Sequence, residues 1–155
     1  MPRALDIARQ RPRIPSLASE LSTEDAIAVA SFRAALRVFL RQTEQTARRA
    51  GLTPQRYLLL LMIKGARDGS ERSTVTELAD RLQLAQSTVT ELVRRAEEAG
   101  LLDRAPSRSD GRVAYLHLSV EGERRLTQAV RNLAEERDEL RIAFEQLESA
   151  PAAIS

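Results

Sequence analysis

Between positions 86 and 96 the chain sets Gln86, Ser87, Thr90, Glu91 and Arg94 on one side of a helical repeat. Val89, Leu92, Val93 and Ala96, at i, i+3, i+4 and i+7, fall on the other side. The polar side offers hydrogen bonding rather than bond-breaking chemistry. Short Ser and Thr side chains let a helix approach closely, and a Gln or Arg reaches further. Such a face suits the base edges of a duplex DNA major groove, about 12 Å wide, where an arginine reaches guanine or phosphate and bulky residues would hold the helix off. Two more arginines, Arg108 and Arg112, sit within and just past a polar turn running from Pro106 to Gly111.

Catalytic chemistry finds no comparable support. The chain has one histidine, His117, and no cysteine, so thiolate metal sites, disulfides and thiol-based oxidant sensing are excluded and no metal site is expected. The acidic pairs Glu97 with Glu98 and Glu135 with Glu136 are adjacent on helix surfaces and cannot oppose one another across a substrate. No glycine-rich phosphate loop is present. The expectation is a protein that is not an enzyme and needs no cofactor.

The elements that must position the polar face follow from the flanking sequence. Thr76 reads as the N-cap of a supporting helix in which Leu78, Ala79 and Leu82 share a face. The next helix starts after Ala85, a poor cap, and ends at Gly100, a residue suited to the left-handed position. Leu101 and Leu102 lead into a strand. After the turn a second strand alternates Ala114, Leu116 and Leu118 inward with Val113, Tyr115 and His117 outward, and Ser119 caps a further helix. Residues 74–119 therefore read as a helix-turn-helix with a β-hairpin wing.

Upstream, Ser22 to Asp25 form a capping box that opens a long helix ending near Gly51. Val29, Phe32, Leu36, Phe39 and Thr43 line one stripe of it. Thr53 and Pro54 start a second helix, apolar almost all round from Tyr57 to Ile63 and so expected to be buried. Ala66 to Arg72 read as a turn, and Ser73 to Val75 as a short strand able to join the wing. Downstream, Leu126, Val130, Leu133, Arg137, Leu140, Phe144 and Leu147 form a heptad seam interrupted once, at Arg137. One helix from Val120 to about Ser149 would be about 45 Å long and would project from the domain. Its seam then needs a partner, most economically a second copy. Arg137 is either a buried register-setting residue or one that snorkels to the rim.

The runs STVTELVRRAEEAGLLDR and SRSDGRVAYLHLS, followed by VEG, resemble the MarR family of bacterial transcription regulators in order and spacing. Asp110 with Arg112 is the most specific piece. GLTPQRYLLLLMI, from Gly51 to Ile63, is similar to the segment before the reading head in that family, so the resemblance covers roughly residues 22–149. It implies a two-fold dimer on a pseudo-palindromic operator. By position, Gln86, Ser87, Thr88, Thr90 and Arg94 would meet the major groove and Arg108 and Arg112 the minor groove, with Asp110 pairing an arginine to hold the wing tip. Phe32, Leu36, Leu133, Leu140, Phe144 and Leu147 would lie in the dimer interface. Relatives often respond to small aromatic anions bound between the dimer helices and the reading heads. That position implies Phe39, Arg41, Arg56 and Tyr57 as ligand contacts, along with Phe32, Met62, Arg33 and Arg37; these apolar residues also read as plain core.

The fold class expected is mostly α with a small β-wing. It divides into a basic arm over residues 1–20, dimerisation helices over 21–52 and 120–150, and the winged helix-turn-helix over 53–119. At 155 residues with 43% hydrophobic content and no apolar run of about 18, the chain shows no membrane span. The start lacks the apolar core of a secretory signal, so a cytoplasmic location is expected. The arm, with Arg3, Arg9, Arg11 and Arg13, reads either as a DNA-tracking extension or as a disordered or partner-packed tail. Net charge is only +2. From Ser73 to Leu118 six arginines (81, 94, 95, 104, 108, 112) face seven acids (77, 80, 91, 97, 98, 103, 110), so the reading head is not globally basic. The function expected is sequence-specific regulation of transcription, as a repressor and homodimer released by a small aromatic or anionic effector. The alternative is a winged-helix module that binds proteins and lacks sequence-specific DNA binding.

Overall fold

Capping chemistry places most helix starts. The computed structural model describes residues 21–150, so the basic arm of residues 1–20 lies outside it. In chain order the elements are α1 (Thr23–Arg49), α2 (Pro54–Lys64), α3 (Val75–Leu82), α4 (Gln86–Glu98), β1 (Leu102–Pro106), β2 (Ala114–Leu118), α5 (Val120–Arg131) and α6 (Ala134–Glu148). Ser22 caps α1 by accepting from the Asp25 amide at 3.0 Å. Thr53 caps α2 by accepting from the Arg56 amide at 3.2 Å, with Pro54 in the first turn. Ser119 caps α5 by accepting from the Gly122 amide at 3.1 Å. The architecture is mostly helical with a two-stranded antiparallel wing, as the sequence indicates.

Three details of the expected architecture change. The cap of α3 is Thr74 rather than Thr76: its hydroxyl accepts from the Glu77 amide at 3.2 Å while the Glu77 carboxylate accepts from the Thr74 amide at 2.8 Å. This reciprocal box satisfies two helix-end donors at once, which a cap at Thr76 would not. Because α3 already begins at Val75, the strand expected over Ser73 to Val75 shrinks to one bridge, Ser73 opposite Leu116. Its two backbone hydrogen bonds are 3.1 and 2.8 Å long.

The third change is larger. The long terminal helix breaks at Asn132 and Leu133, and α6 lies along α1 of the same chain. The Phe32 and Phe144 rings meet with centroids 6.0 Å apart. Leu133 is 2% exposed within the single chain, so it fills the chain's own interior and is not available to a second copy. Arg137 lies at the break with its guanidinium donating to the Leu133 and Val130 carbonyls at 3.2 and 3.4 Å. Of these two acceptors only Val130 lies in the last turn of α5, since the Leu133 carbonyl already accepts from the Arg137 amide at 3.1 Å as the first bond of α6. A seam read along one helix concealed a turn that lets its two halves pack differently.

The core lies where α2, α3, α4 and the wing meet. Leu59, Leu60 and Ile63 of α2, Leu78 of α3, Val89, Val93 and Ala96 of α4, Leu101, and Leu116 of β2 all have 0% exposure. Helix α2 is less uniformly buried than its composition suggests, since Leu58 is 43% exposed. Arg81 of α3 donates to the Met62 and Gly65 carbonyls at 2.8 and 2.9 Å, tying off the C-terminal end of α2.

The first turn of α5 sits against the backbone after α4. A Cβ placed on Gly122 would lie 2.2 Å from the Leu101 carbonyl oxygen. Gly122→Ala is therefore expected to destabilise the fold by about 1–3 kcal/mol through overpacking against backbone. A fall in the urea midpoint without a change in slope would register it, and an unchanged midpoint would show that this contact yields without cost.

Candidate nucleic-acid interface

Helix α4 is held by what it buries. Val89, Leu92, Val93 and Ala96 face inward and α4 packs on both α2 and α3. The turn before it is tight: Gln83, at φ 54°, takes the left-handed conformation, and Leu84 donates to the Ala79 carbonyl at 3.1 Å. Ala85 occupies the N-cap and provides no side-chain hydrogen bond, so the amides of the first turn of α4 have no protein side-chain cap. Gly100, at φ 71°, ends the helix in the left-handed region.

With that face inward, Gln86, Ser87, Thr88, Thr90 and Arg94 are all exposed. Thr90 donates its hydroxyl to the Gln86 carbonyl at 2.8 Å, which leaves its methyl group and lone pairs outward. Arg94 is less free than its position suggested. Its Nε and Nη2 donate to Glu91 at 2.9 and 2.7 Å, and its Nη1 to Glu98. Glu91 also accepts from Arg95 Nε at 2.9 Å. The two arginines lower the Glu91 carboxyl from 4.5 to about 2, through hydrogen bonds first and charge second. Arg94 is raised in turn by Glu91 and Glu98.

The wing presents its arginines differently. Strands β1 and β2 pair from Leu102 opposite Leu118 to Pro106 opposite Ala114. The turn closes with Ser107 donating its amide to the Val113 carbonyl at 2.9 Å. Asp110 organises the tip through the backbone: its carboxylate accepts from the Arg112 amide at 3.0 Å. Among the described residues it forms no ion pair with an arginine, so the side-chain pairing expected of Asp110 is replaced by a local turn. Ser107, which the sequence reading passed over, accepts from the Ser109 and Asp110 amides at 3.3 and 3.4 Å. A Ser-x-Ser-Asp run in a turn was the available signal. Arg108 and Arg112 are exposed and, among the described residues, have no carboxylate within ion-pair distance. Glu97 is engaged elsewhere, holding Arg104 of β1 at 2.6 and 3.0 Å.

The residues expected to contact an effector do not gather. Tyr57 is 6% exposed, and burial raises its phenol, opposed by the Arg137 charge. Phe39 and Arg56 are half-buried and Arg41 is exposed. Four surface clefts are lined by α3 with the preceding loop, by α1 with α6, by α5 alone and by α1 alone. Arg41 lines the last with Arg37 and Glu44, whereas Phe39, Arg56 and Tyr57 line none of these four. His117 lies opposite Asp103 in the wing, and no cluster of metal-ligating side chains occurs among the described residues. No described helix is long and apolar enough to cross a membrane.

The model of the MarR family matches residues 50–113, which take in α2, α3, α4, β1 and the wing turn. Over that stretch the chain is similar to the MarR family. The chain is also similar to an uncharacterized HTH-type transcriptional regulator of Bacillus subtilis, YsmB, at 33% identity over 81 residues. That match spans 52% of this chain and about half, 53%, of the length of YsmB. Solved structures extend the likeness to the long helices. AbsC, a MarR family transcriptional regulator from Streptomyces coelicolor, superposes with TM-score 0.60 at 22% identity, covering 86% of each chain. A mutant MarR from E. coli complexed with operator DNA gives TM-score 0.58 at 20% identity, covering 79% of this chain and 85% of that one. The transcriptional regulator Tm0710 from Thermotoga maritima gives 0.57 at 26%, covering 73% and 75%. The fold is thus that of MarR-family winged-helix regulators.

Acid should weaken the fold slightly and in a definite window. Glu91 on α4 and Glu121 on α5 are both held at about 2 by paired arginines, against an ordinary value of 4.5. A depressed carboxyl contributes stability that is fully present above about pH 4.5 and is withdrawn as pH falls towards about 2. Because these pairs are exposed the contribution is small, so urea midpoints measured from pH 6 to pH 3 are expected to fall only slightly, mainly below pH 5, with Glu91→Gln removing a small part of that slope. A flat profile would mean that both pairs are equally formed in the unfolded chain.

Proposed function

We propose that this chain is a sequence-specific, DNA-binding transcriptional repressor that acts as a homodimer on a pseudo-palindromic operator. The observation that carries the reading is the joint presentation of two surfaces. The small polar face of α4 is exposed through Gln86, Ser87, Thr88 and Thr90, and the wing tip offers Arg108 and Arg112 without carboxylate partners among the described residues. In the reading, α4 supplies direct contact to base edges, the wing arginines supply the minor groove and phosphates, and Asp110 shapes the tip that aims them. The relative solved on operator DNA lends the fold-level support.

Dimerisation is the second element of the proposal. Helices α1 and α6 cover one another only in part, leaving Ile27 62%, Val29 37%, Ile142 48% and Phe144 45% exposed. Together with the half-buried Phe32, Leu36, Leu140 and Leu147, they form an apolar surface for a second copy. Two reading heads then meet two half-sites in successive major grooves. Release by a small aromatic or anionic ligand completes the mechanism as a population shift towards a dimer whose heads no longer match that spacing. Phe39, Arg41, Arg56 and Tyr57 enter such a site only with the partner copy supplying a further wall.

Fluorescence anisotropy against DNA from upstream of the protein's own gene, with scrambled DNA as control at several salt concentrations, tests the reading. Tight, salt-sensitive and sequence-preferring binding is expected. Equal weak binding to both DNAs would turn attention to the near-neutral reading head as a protein-docking module. Arg112→Ala is expected to weaken binding and lower the salt slope by about 0.9, the value of one lost phosphate contact; an unchanged slope removes Arg112 from the contact set. Ile142→Glu should convert a sedimenting dimer to monomer while far-ultraviolet circular dichroism persists, and a dimer that survives it would place the interface elsewhere.

A further inference from the structure

The outermost line of α4 runs through Ser87, Glu91, Arg94 and Glu98, at spacings of four, three and four, directly opposite the buried Val89, Val93 and Ala96. Two of these four residues are carboxylates. A helix whose task is to approach phosphates would gain attraction from neutral residues at those positions. All three nitrogens of the Arg94 guanidinium are taken up within the helix, two by Glu91 and one by Glu98, and Glu91 engages Arg95 as well. These side chains are 44–61% exposed, and exposed ion pairs add little to stability. Holding the fold together does not account for them.

Resting on the DNA-binding reading above, we propose that Glu91 is a specificity-determining residue: it holds Arg94 and Arg95 away from the phosphate backbone. Attraction to phosphate alone is then too weak to seat α4. Only a site where Gln86, Ser87, Thr88 and Thr90 find their base partners stabilises the helix in the groove long enough for Arg94 to exchange carboxylate for phosphate or guanine. Glu91 acts through the arginines and not by touching the bases, which makes it a positioning residue. Glu91 and Glu98 are the two members of that row that the candidate contact residues omitted. The reading head's excess of acids over arginines follows from the same device, since these carboxylates restrain non-specific binding, which is almost wholly electrostatic.

The test measures binding of the full chain to a random-sequence duplex, which requires no known operator, and to the duplex from upstream of its own gene, across a salt series. Glu91→Gln keeps a residue of comparable helix propensity and removes the charge. It is expected to tighten binding to the random duplex about tenfold near 0.1 M salt and to steepen the salt slope by about 0.9, the signature of one added phosphate contact. Preference for the upstream duplex should fall correspondingly, and Glu91→Asp, which retains the charge, should not produce the gain. In an Arg94→Ala, Arg95→Ala background, adding Glu91→Gln should bring no gain. A full gain from Glu91→Gln in that background overturns the proposal in favour of a simple net-charge effect. Loss of affinity for the upstream duplex alone overturns it in favour of direct reading of a base by Glu91. Salt-sensitive binding by the wild type with no change in Glu91→Gln overturns this inference and leaves the DNA-binding reading intact. Absence of salt-sensitive binding in every form overturns both.

Discussion

The rest of the structure depends on the complete burial of Val89, Val93 and Ala96. Once these side chains are committed to the core shared with Leu59, Leu60 and Leu78, α4 cannot rotate, and its opposite row must face out. Leu101 extends the constraint to the wing and to α5. Its amide donates to the Ala96 carbonyl at 3.0 Å, its own carbonyl accepts from Ser119 at 3.0 Å, and that carbonyl excludes any side chain at position 122. The recognition surface, the wing and the helix leading to α6 therefore share one anchor. A polar face of short side chains can be presented this way because its position is set by apolar contacts behind it, not by the polar residues themselves.

Arginine takes three separate roles, which net charge obscures. Arg81, Arg125 and Arg137 serve carbonyls at the ends of helices or beside them, Arg125 donating to Gly51 at 2.9 Å. Arg94, Arg95 and Arg124 are paired with glutamates on their own helices, Arg104 of β1 with Glu97 of α4, and Arg125 also pairs with Glu121. Arg108 and Arg112 at the wing tip have neither kind of partner among the described residues. The chain's only lysine, Lys64, bridges Glu71 and Glu123 at 2.7 Å each and so ties the end of α2 to α5. The reading head counts near neutral because its six arginines and seven acids almost cancel, and three of those acids, Glu91, Glu97 and Glu98, are already paired with arginines.

Much of the local structure was legible because its causes are local. Ser22, Thr53 and Ser119 sit three residues before the amides they cap, and Gly100 stands where a left-handed residue ends α4. The alternation of Leu116 and Leu118 with their neighbours follows the two-residue period of a strand. Thr74 and Thr76 were harder to separate, since either hydroxyl could cap and only the Glu77 carboxylate, reaching back to Thr74, decides between them. The poor cap at Ala85 was visible in advance and did not displace the start of α4, because packing against α2 and α3 outweighs one missing hydrogen bond.

The sequence by itself determined the helix-turn-helix with its wing, the inward and outward faces of α4, and the polar residues presented there. Each depends on periodicity and on contacts a few residues apart. Only the tertiary structure decided that the last helix breaks at Asn132 and Leu133, that α6 lies along α1, and that Leu133 belongs to the chain's own interior. A heptad seam records which side of a helix is apolar but not which partner covers it, and cover by the chain's own first helix is settled by packing between segments about a hundred residues apart. The pairing of Arg94 with Glu91 and Glu98 lies between the two cases. Its spacing is written in the sequence, yet it was the outward orientation of the whole row that left those charges to find one another.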